Sequence, residues 1–240
     1  MGRGPSIEGR KNAEDAKRGK IFTKLIREIT IAARNGGDPA SNARLRMGID
    51  KALAANMTKD TIERAVKRGS GADGADNMEE LRYEGYGPGG VALIIDAMTD
   101  NSVRTVADVR HALSKHGGNL GTSGSVAFQF SRVGEIVIDT PTAEAEEKLL
   151  EAALEAGADD IVVEGKRGTV LCAPENFEAI KAALLGAGFA LISDDVVMRR
   201  ANRVAVAGEV AETLHDLLDW LEELDDVQDV YHNAALADSP

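Results

Sequence analysis

The apolar period of this chain changes at one place, the glycine-rich stretch Gly69–Asp76 (GSGADGAD). Before it, Ile21, Phe22, Leu25, Ile26, Ile29, Ala32 and Ala33 recur at helical spacing and predict an amphipathic helix over 12–34. Asn35-Gly36-Gly37 ends that helix, and Asp38-Pro39 supplies a cap and a first-turn proline for a second, running to about Ala55 with Leu45, Ile49, Ala52 and Leu53 inward. Thr58 caps a third helix that stops at Gly69, with Met57 and Ile62 spaced to staple its start. Small polar residues over Gly69–Asp76 read as a linker between this helical head and the remainder of the chain.

Beyond the linker, strands alternate with helices. Residues 135–200 read as βαββαβ: strand 135–138, helix 143–156, strands 161–164 and 169–173, helix 175–185, and strand-like 189–192 and 196–200. Residues 91–130 read as one βαβ and residues 203–231 as another, so the outer pieces together form a second such unit with the first inserted in it. The expected architecture is therefore an α+β protein of three domains, an N-terminal three-helix domain plus two βαββαβ (ferredoxin-like) domains. The expected boundaries are 1–78, 79–133 with 201–240, and 134–200.

Charge is divided along the same lines. Residues 1–70 hold 16 basic and 8 acidic side chains, a net of +8, whereas the remaining 170 hold 12 and 32, a net of -20. The overall -12 conceals a basic head on an acidic body, a pattern suited to binding a polyanion at one end. No apolar run approaches the ~18 residues of a membrane span, and no apolar segment comes after the early cations as in a secretory signal. The single cysteine, Cys172, lies in a strand-like run and reads as a small buried hydrophobe. A cytoplasmic protein without membrane contact is expected.

Few motifs point to catalysis. The densest glycine segment, 117–125, precedes a strand and lacks a lysine, the reverse of a phosphate-binding loop, and reads as a helix stop with a flexible lead-in. Gly85–Gly90 reads as a turn. His111 and His116 are five apart, and His215 and His232 are isolated, so no metal site is expected. Asp159-Asp160, Asp194-Asp195 and Asp225-Asp226 read as solvated turns, because adjacent strand carboxylates face opposite ways. Neither an enzyme nor a cofactor is expected.

The first helix carries more information. Lys17, Lys20, Lys24 and Arg27 fall three to four apart on one face, away from Phe22, Leu25, Ile26 and Ile29. A cationic face opposite an apolar one fits a phosphate backbone. Scarce aromatics, at 4%, argue against a base-stacking platform and against membrane anchoring. The candidate nucleic-acid-binding residues are Lys11, Lys17, Arg18, Lys20, Lys24, Arg27, Arg44, Arg46 and Lys51, with Asn101 and Arg104 as a secondary contact surface.

Five segments, Asp15–Ile29 (DAKRGKIFTKLIREI), Ile49–Met57 (IDKALAANM), Tyr83–Gly90 (YEGYGPGG), Thr99–Thr105 (TDNSVRT) and Gly118–Val126 (GNLGTSGSV), resemble the YebC family, which includes the mitochondrial translational activator of cytochrome c oxidase. The resemblance spans essentially the whole chain and implies a three-domain α/β protein of the bacterial cytoplasm. It also implies one of two roles, a DNA-binding transcriptional regulator or a ribosome-associated translation factor that contacts ribosomal RNA or tRNA. Many members begin with a short segment bearing His and Trp, where this chain has Gly2–Arg10 (GRGPSIEGR).

Overall fold

A computed structural model describes residues 7–72 and 77–236, which form two compact units: residues up to Val126 together with those from Val204 onward, and Ala127–Arg203. The linker residues 73–76 and the opening residues 1–6 lie outside the described residues.

The first unit opens with helices α1 (Ile7–Ala33), α2 (Ala43–Ala54) and α3 (Lys59–Gly69). Ile29, Ala32 and Ala33 of α1 pack against Leu45 and Ala52 of α2, and against Met57, Ile62 and Ala65. Ile21 and Leu53, expected inward, are exposed. The second helix starts four residues after Pro39, not at it. Asn42 is its cap, accepting from the Leu45 amide at 3.1 Å while its own amide group donates to the Ala32 and Gly36 carbonyls. Asp38 instead closes a tight turn by accepting from the Ala40 N–H. An asparagine can satisfy both its donor and its acceptor in that 8%-exposed position, which an aspartate cannot. Thr58 caps α3 as expected. Gly69 ends it against α1: a Cβ there would lie 1.9 Å from the Thr30 carbonyl oxygen, so only glycine permits the approach.

The same unit continues with strands β1 (Glu79–Tyr86) and β2 (Ala92–Thr99), helix α4 (Ser102–Lys115) and the short strand β3 (Asn119–Leu120). The second unit comes next, with strand β4 (Phe130–Asp139), helix α5 (Ala143–Glu155), hairpin β5 (Asp160–Glu164) and β6 (Arg167–Cys172), helix α6 (Phe177–Gly186) and strand β7 (Leu191–Arg200). Its sheet runs β5-β6-β4-β7, antiparallel throughout, the strand order of a split βαβ fold. Ile136, Ile138, Val170 and Cys172 turn inward with Leu149, Phe177, Ile180 and Leu184 of the helical layer. The chain then returns to the first unit through β8 (Val204–Val206), α7 (Gly208–Glu223), β9 (Val227–His232) and β10 (Ala234–Leu236).

The sheet of the first unit, β3-β1-β2-β9, differs in detail from two simple βαβ pieces. Strand β1 ends where the sequence reads as a turn, and pairs with β2 along its whole length. Residues 126–130 are not a separate strand: a 3-10 turn, Ala127–Gln129, leads directly into β4. Strand β8 leaves the main sheet and pairs in parallel with β10. The buried Asn233 joins the two sheets, accepting from the Ala92 N–H through its side chain and from the Val204 N–H through its carbonyl. Leu214, Leu217 and Leu221 of α7 share a core with Val109 and Leu113 of α4 and with Leu93 and Ile95 of β2.

Candidate nucleic-acid interface

The last turn of α7 contains no cation of its own. Its terminal carbonyls lack intrahelical donors and sit at the negative end of the helix dipole, beside Glu222, Glu223, Asp225 and Asp226. The cations that satisfy this end come from α1. Lys20 pairs with the Glu223 carboxylate, and Lys24 Nζ donates to the Glu222 carbonyl at 2.9 Å. Arg27 donates to Asp226 Oδ1 at 2.8 Å, to the Asp225 carbonyl at 3.0 Å and to the Met98 carbonyl at 2.7 Å. Burial lowers the Lys24 pKa, against the opposing pull of Glu222 and Asp229.

Asp226 is the centre of this contact. Only 6% exposed, it also accepts from Arg104 at 3.0 Å and from the Thr105 hydroxyl at 2.8 Å. Burial alone would raise its pKa, but donation from Arg27, Thr105 and Arg104 outweighs burial and holds it below the usual aspartate value. The reading of Asp225-Asp226 as a solvated turn is therefore corrected: Asp225 is exposed, whereas Asp226 is a buried ion-pair hub. Asp194-Asp195 is not a turn either: both lie within β7, opposite Ile136 and Glu135 of β4, and the half-buried Asp194 pairs with Lys181.

The remaining candidate residues divide between structural and outward positions. Asn101 caps α4 by accepting from the Arg104 amide at 3.0 Å, and Arg104 spans Asp226 and Asp100. Arg44 bridges Glu28 and Glu80; burial opposes its charge, but these hydrogen bonds raise its pKa further above the usual arginine range. Arg46 donates to the Pro39 carbonyl at 2.8 Å. The Lys11 side chain lies outside the described residues. Lys17, Arg18 and Lys51 face outward, with the Arg18 guanidinium 5.2 Å from the centroid of the Phe22 ring. Every residue from Ala13 to Gly19 is exposed, so this part of α1 extends past the head's core. Lys59, Lys67 and Arg68 of α3 are also outward, and sequence reasoning passed over them. Their signal was legible: α3 is apolar only at Ile62, Ala65 and Val66, leaving the rest of its surface to charge.

The glycine loop is fastened rather than loose. Gly117 adopts a left-handed φ of 71° and ends α4, with the Gly118 N–H returning to the Leu113 carbonyl. Glu84, 4% exposed on β1, then accepts from the N–H groups of Gly124 at 2.6 Å and Val126 at 3.0 Å. Thr122, Ser123 and Gly124 remain exposed at the tip. Glu84 escaped the sequence reading because a lone carboxylate among glycines and tyrosines has no period to betray it. His111 and His116 both meet Trp220 edge-on, at centroid distances of 5.8 and 5.4 Å. Among the described residues no group of three His, Cys, Asp or Glu side chains is placed to hold a metal ion, and no helix is long and apolar enough to cross a membrane.

Fold and surface together define a class, a multi-domain α+β protein whose basic helical head is held by its own cations on an acidic body. Two family descriptions match successive parts of the chain: the TACO1/YebC protein N-terminal domain over residues 4–72, and the TACO1/YebC second and third domain over residues 78–234. The chain belongs to the TACO1/YebC family. It is 59% identical over 239 residues to a Stenotrophomonas maltophilia protein named a probable transcriptional regulatory protein, covering 98% of each chain. A Xanthomonas campestris protein of the same description is 58% identical over 236 residues, covering 97% of each. A crystal structure of a conserved hypothetical protein from Aquifex aeolicus is similar at a TM-score of 0.83 and 42% identity, over 94% of this chain and 93% of that one.

Proposed function

We propose that this chain is a non-enzymatic regulator of gene expression in the cytoplasm, one that binds duplex DNA through the outward cations of its head. The observation that carries the reading is the sorting of those cations. Lys20, Lys24, Arg27 and Arg44 are engaged in holding the molecule together, while Lys17, Arg18, Lys59, Lys67 and Arg68 make no ion pair among the described residues. Cations that neutralise no internal charge are available to displace counterions from a phosphate backbone. The names of the relatives, probable transcriptional regulatory proteins, agree with this role.

The test is fluorescence anisotropy with labelled duplex DNA and with a structured RNA hairpin, across a salt series. In the full chain, Lys17→Glu with Arg18→Glu, and separately Lys67→Glu with Arg68→Glu, are expected to weaken binding and reduce the slope of log K against log salt by about two units. Unchanged affinity in both variants overturns the assignment. Tight RNA binding with weak DNA binding at physiological salt replaces the transcriptional role with one on the ribosome or tRNA.

A further inference from the structure

The second unit, Ala127–Arg203, carries 8 basic against 14 acidic residues, a net of -6. Half of its cations lie in two short stretches, Arg132 on β4 and Arg199, Arg200 and Arg203 at the end of β7. Pairing brings these stretches together. Phe130 stands opposite Arg200 and Arg132 opposite Met198, so Arg132 and Arg200 are diagonal neighbours on one face of the sheet. Arg199 projects from the other face and pairs with Glu135 at 2.7 Å, and Arg203 pairs with Glu164 at 2.8 Å. Neither Arg132 nor Arg200 has a side-chain ion pair or hydrogen bond among the described residues. Arg132 is exposed and Arg200 half-buried, with an Arg200 pKa lowered by burial and by the adjacent Arg203 and Arg199. Glu164 and Glu135 offset this only in part, since they pair directly with Arg203 and Arg199, so the planar fork of Arg200 is left to suit a phosphate oxygen pair.

We infer that the Arg132–Arg200 end of the β4–β7 pair is a second nucleic-acid contact, binding backbone phosphate independently of the helical head. It rests on the nucleic-acid reading of the protein and extends it to a unit whose net charge would otherwise repel the ligand. Such a contact would fix which way this unit lies along a bound strand. A competing explanation is protective, since β7 is an edge strand and charge on an edge discourages strand addition between molecules.

The experiment uses the full chain and the same labelled duplex and hairpin across a salt series. Arg132→Gln, Arg200→Gln and the double variant are compared with wild type, and circular dichroism and melting temperature check the fold. The expected result is a roughly 5- to 30-fold loss of affinity in the double variant, with a slope of log K against log salt reduced by about one to two units. Arg132→Gln alone, at an exposed position, is expected to lose part of this with an unchanged melt. Wild-type affinity in the double variant, with the head variants still defective, overturns this inference and leaves the head's role intact. Wild-type affinity in every variant overturns both. Aggregation of the double variant with undiminished affinity assigns the arginines to edge protection and likewise overturns the inference.

Discussion

Replacing Asp226 with asparagine removes one charge and almost no volume. In the native protein its carboxylate accepts from Arg27 at 2.8 Å, from Arg104 at 3.0 Å and from the Thr105 hydroxyl at 2.8 Å. Breaking a buried ion pair from one side costs roughly 3–5 kcal/mol, because the surviving charge stays desolvated. The Arg27 side chain is 19% exposed and Arg104 45%, so Arg104 can turn to water or to Asp100 and contributes little of this. The low end, about 3 kcal/mol, is therefore expected for Asp226→Asn, or a drop of about 6–12 °C in melting temperature for a unit of this size. Guanidinium unfolding at pH 7 measures it, with Asp225→Asn as the control. Asp225 is exposed and serves Arg27 only through its backbone carbonyl, so its neutralisation is expected to cost about 0.5 kcal/mol or less. The dependence on pH has a definite sign. Because the folded Asp226 pKa lies below its ordinary 3.8, the stabilisation is complete above that value and fades as pH falls through the lower, folded one. The gap between wild type and Asp226→Asn is expected to be constant from about pH 7 to 5 and to narrow below about pH 4. A loss under ~1 kcal/mol at pH 7, or an equal loss in Asp225→Asn, would refute the hub.

Two further outcomes rest on packing. Gly69→Ala places a methyl group 1.9 Å from the Thr30 carbonyl and 2.9 Å from the Ala33 Cβ, so α3 must move off α1. A loss of about 1–3 kcal/mol in thermal unfolding is expected, and a neutral substitution would contradict the close approach of the two helices. Cys172 is 1% exposed, with burial and then Asp159 raising its thiol pKa. It is expected to resist a thiol-specific reagent in the native protein and to react fully in denaturant; rapid native labelling would contradict its buried place in the core of the second unit.

The helical head was legible because its information is local. Apolar spacing, the Thr58 cap and the Met57–Ile62 staple each lie within a few residues of what they specify; the cap and the staple pair are in the structure, and the spacing holds except at the exposed Ile21 and Leu53. The second unit was legible in its element order for the same reason, but β7 was split: the strand-like runs 189–192 and 196–200 are one strand, Leu191–Arg200, because pairing with β4 carries the backbone straight through Asp194 and Asp195. Strand β1 was not legible: with the burial order of Glu79–Tyr86 irregular and a glycine near its end, no period of two survives in the sequence. Its existence depends on pairing with β2, whose residues are buried along nearly the whole strand.

The candidate site divides along the same physical line. Spacing alone places Lys17, Lys20, Lys24 and Arg27 on one face of α1 and makes that face cationic, because side-chain direction on a helix is set by position along it. Which of these charges stay free depends on the folded chain. The polypeptide must come back about 200 residues later for the end of α7 to present Glu222, Glu223 and Asp226 to Lys24, Lys20 and Arg27. Charge complementarity acts through space, so a face that reads as a phosphate track in one helix becomes, over most of its length, the joint between head and body.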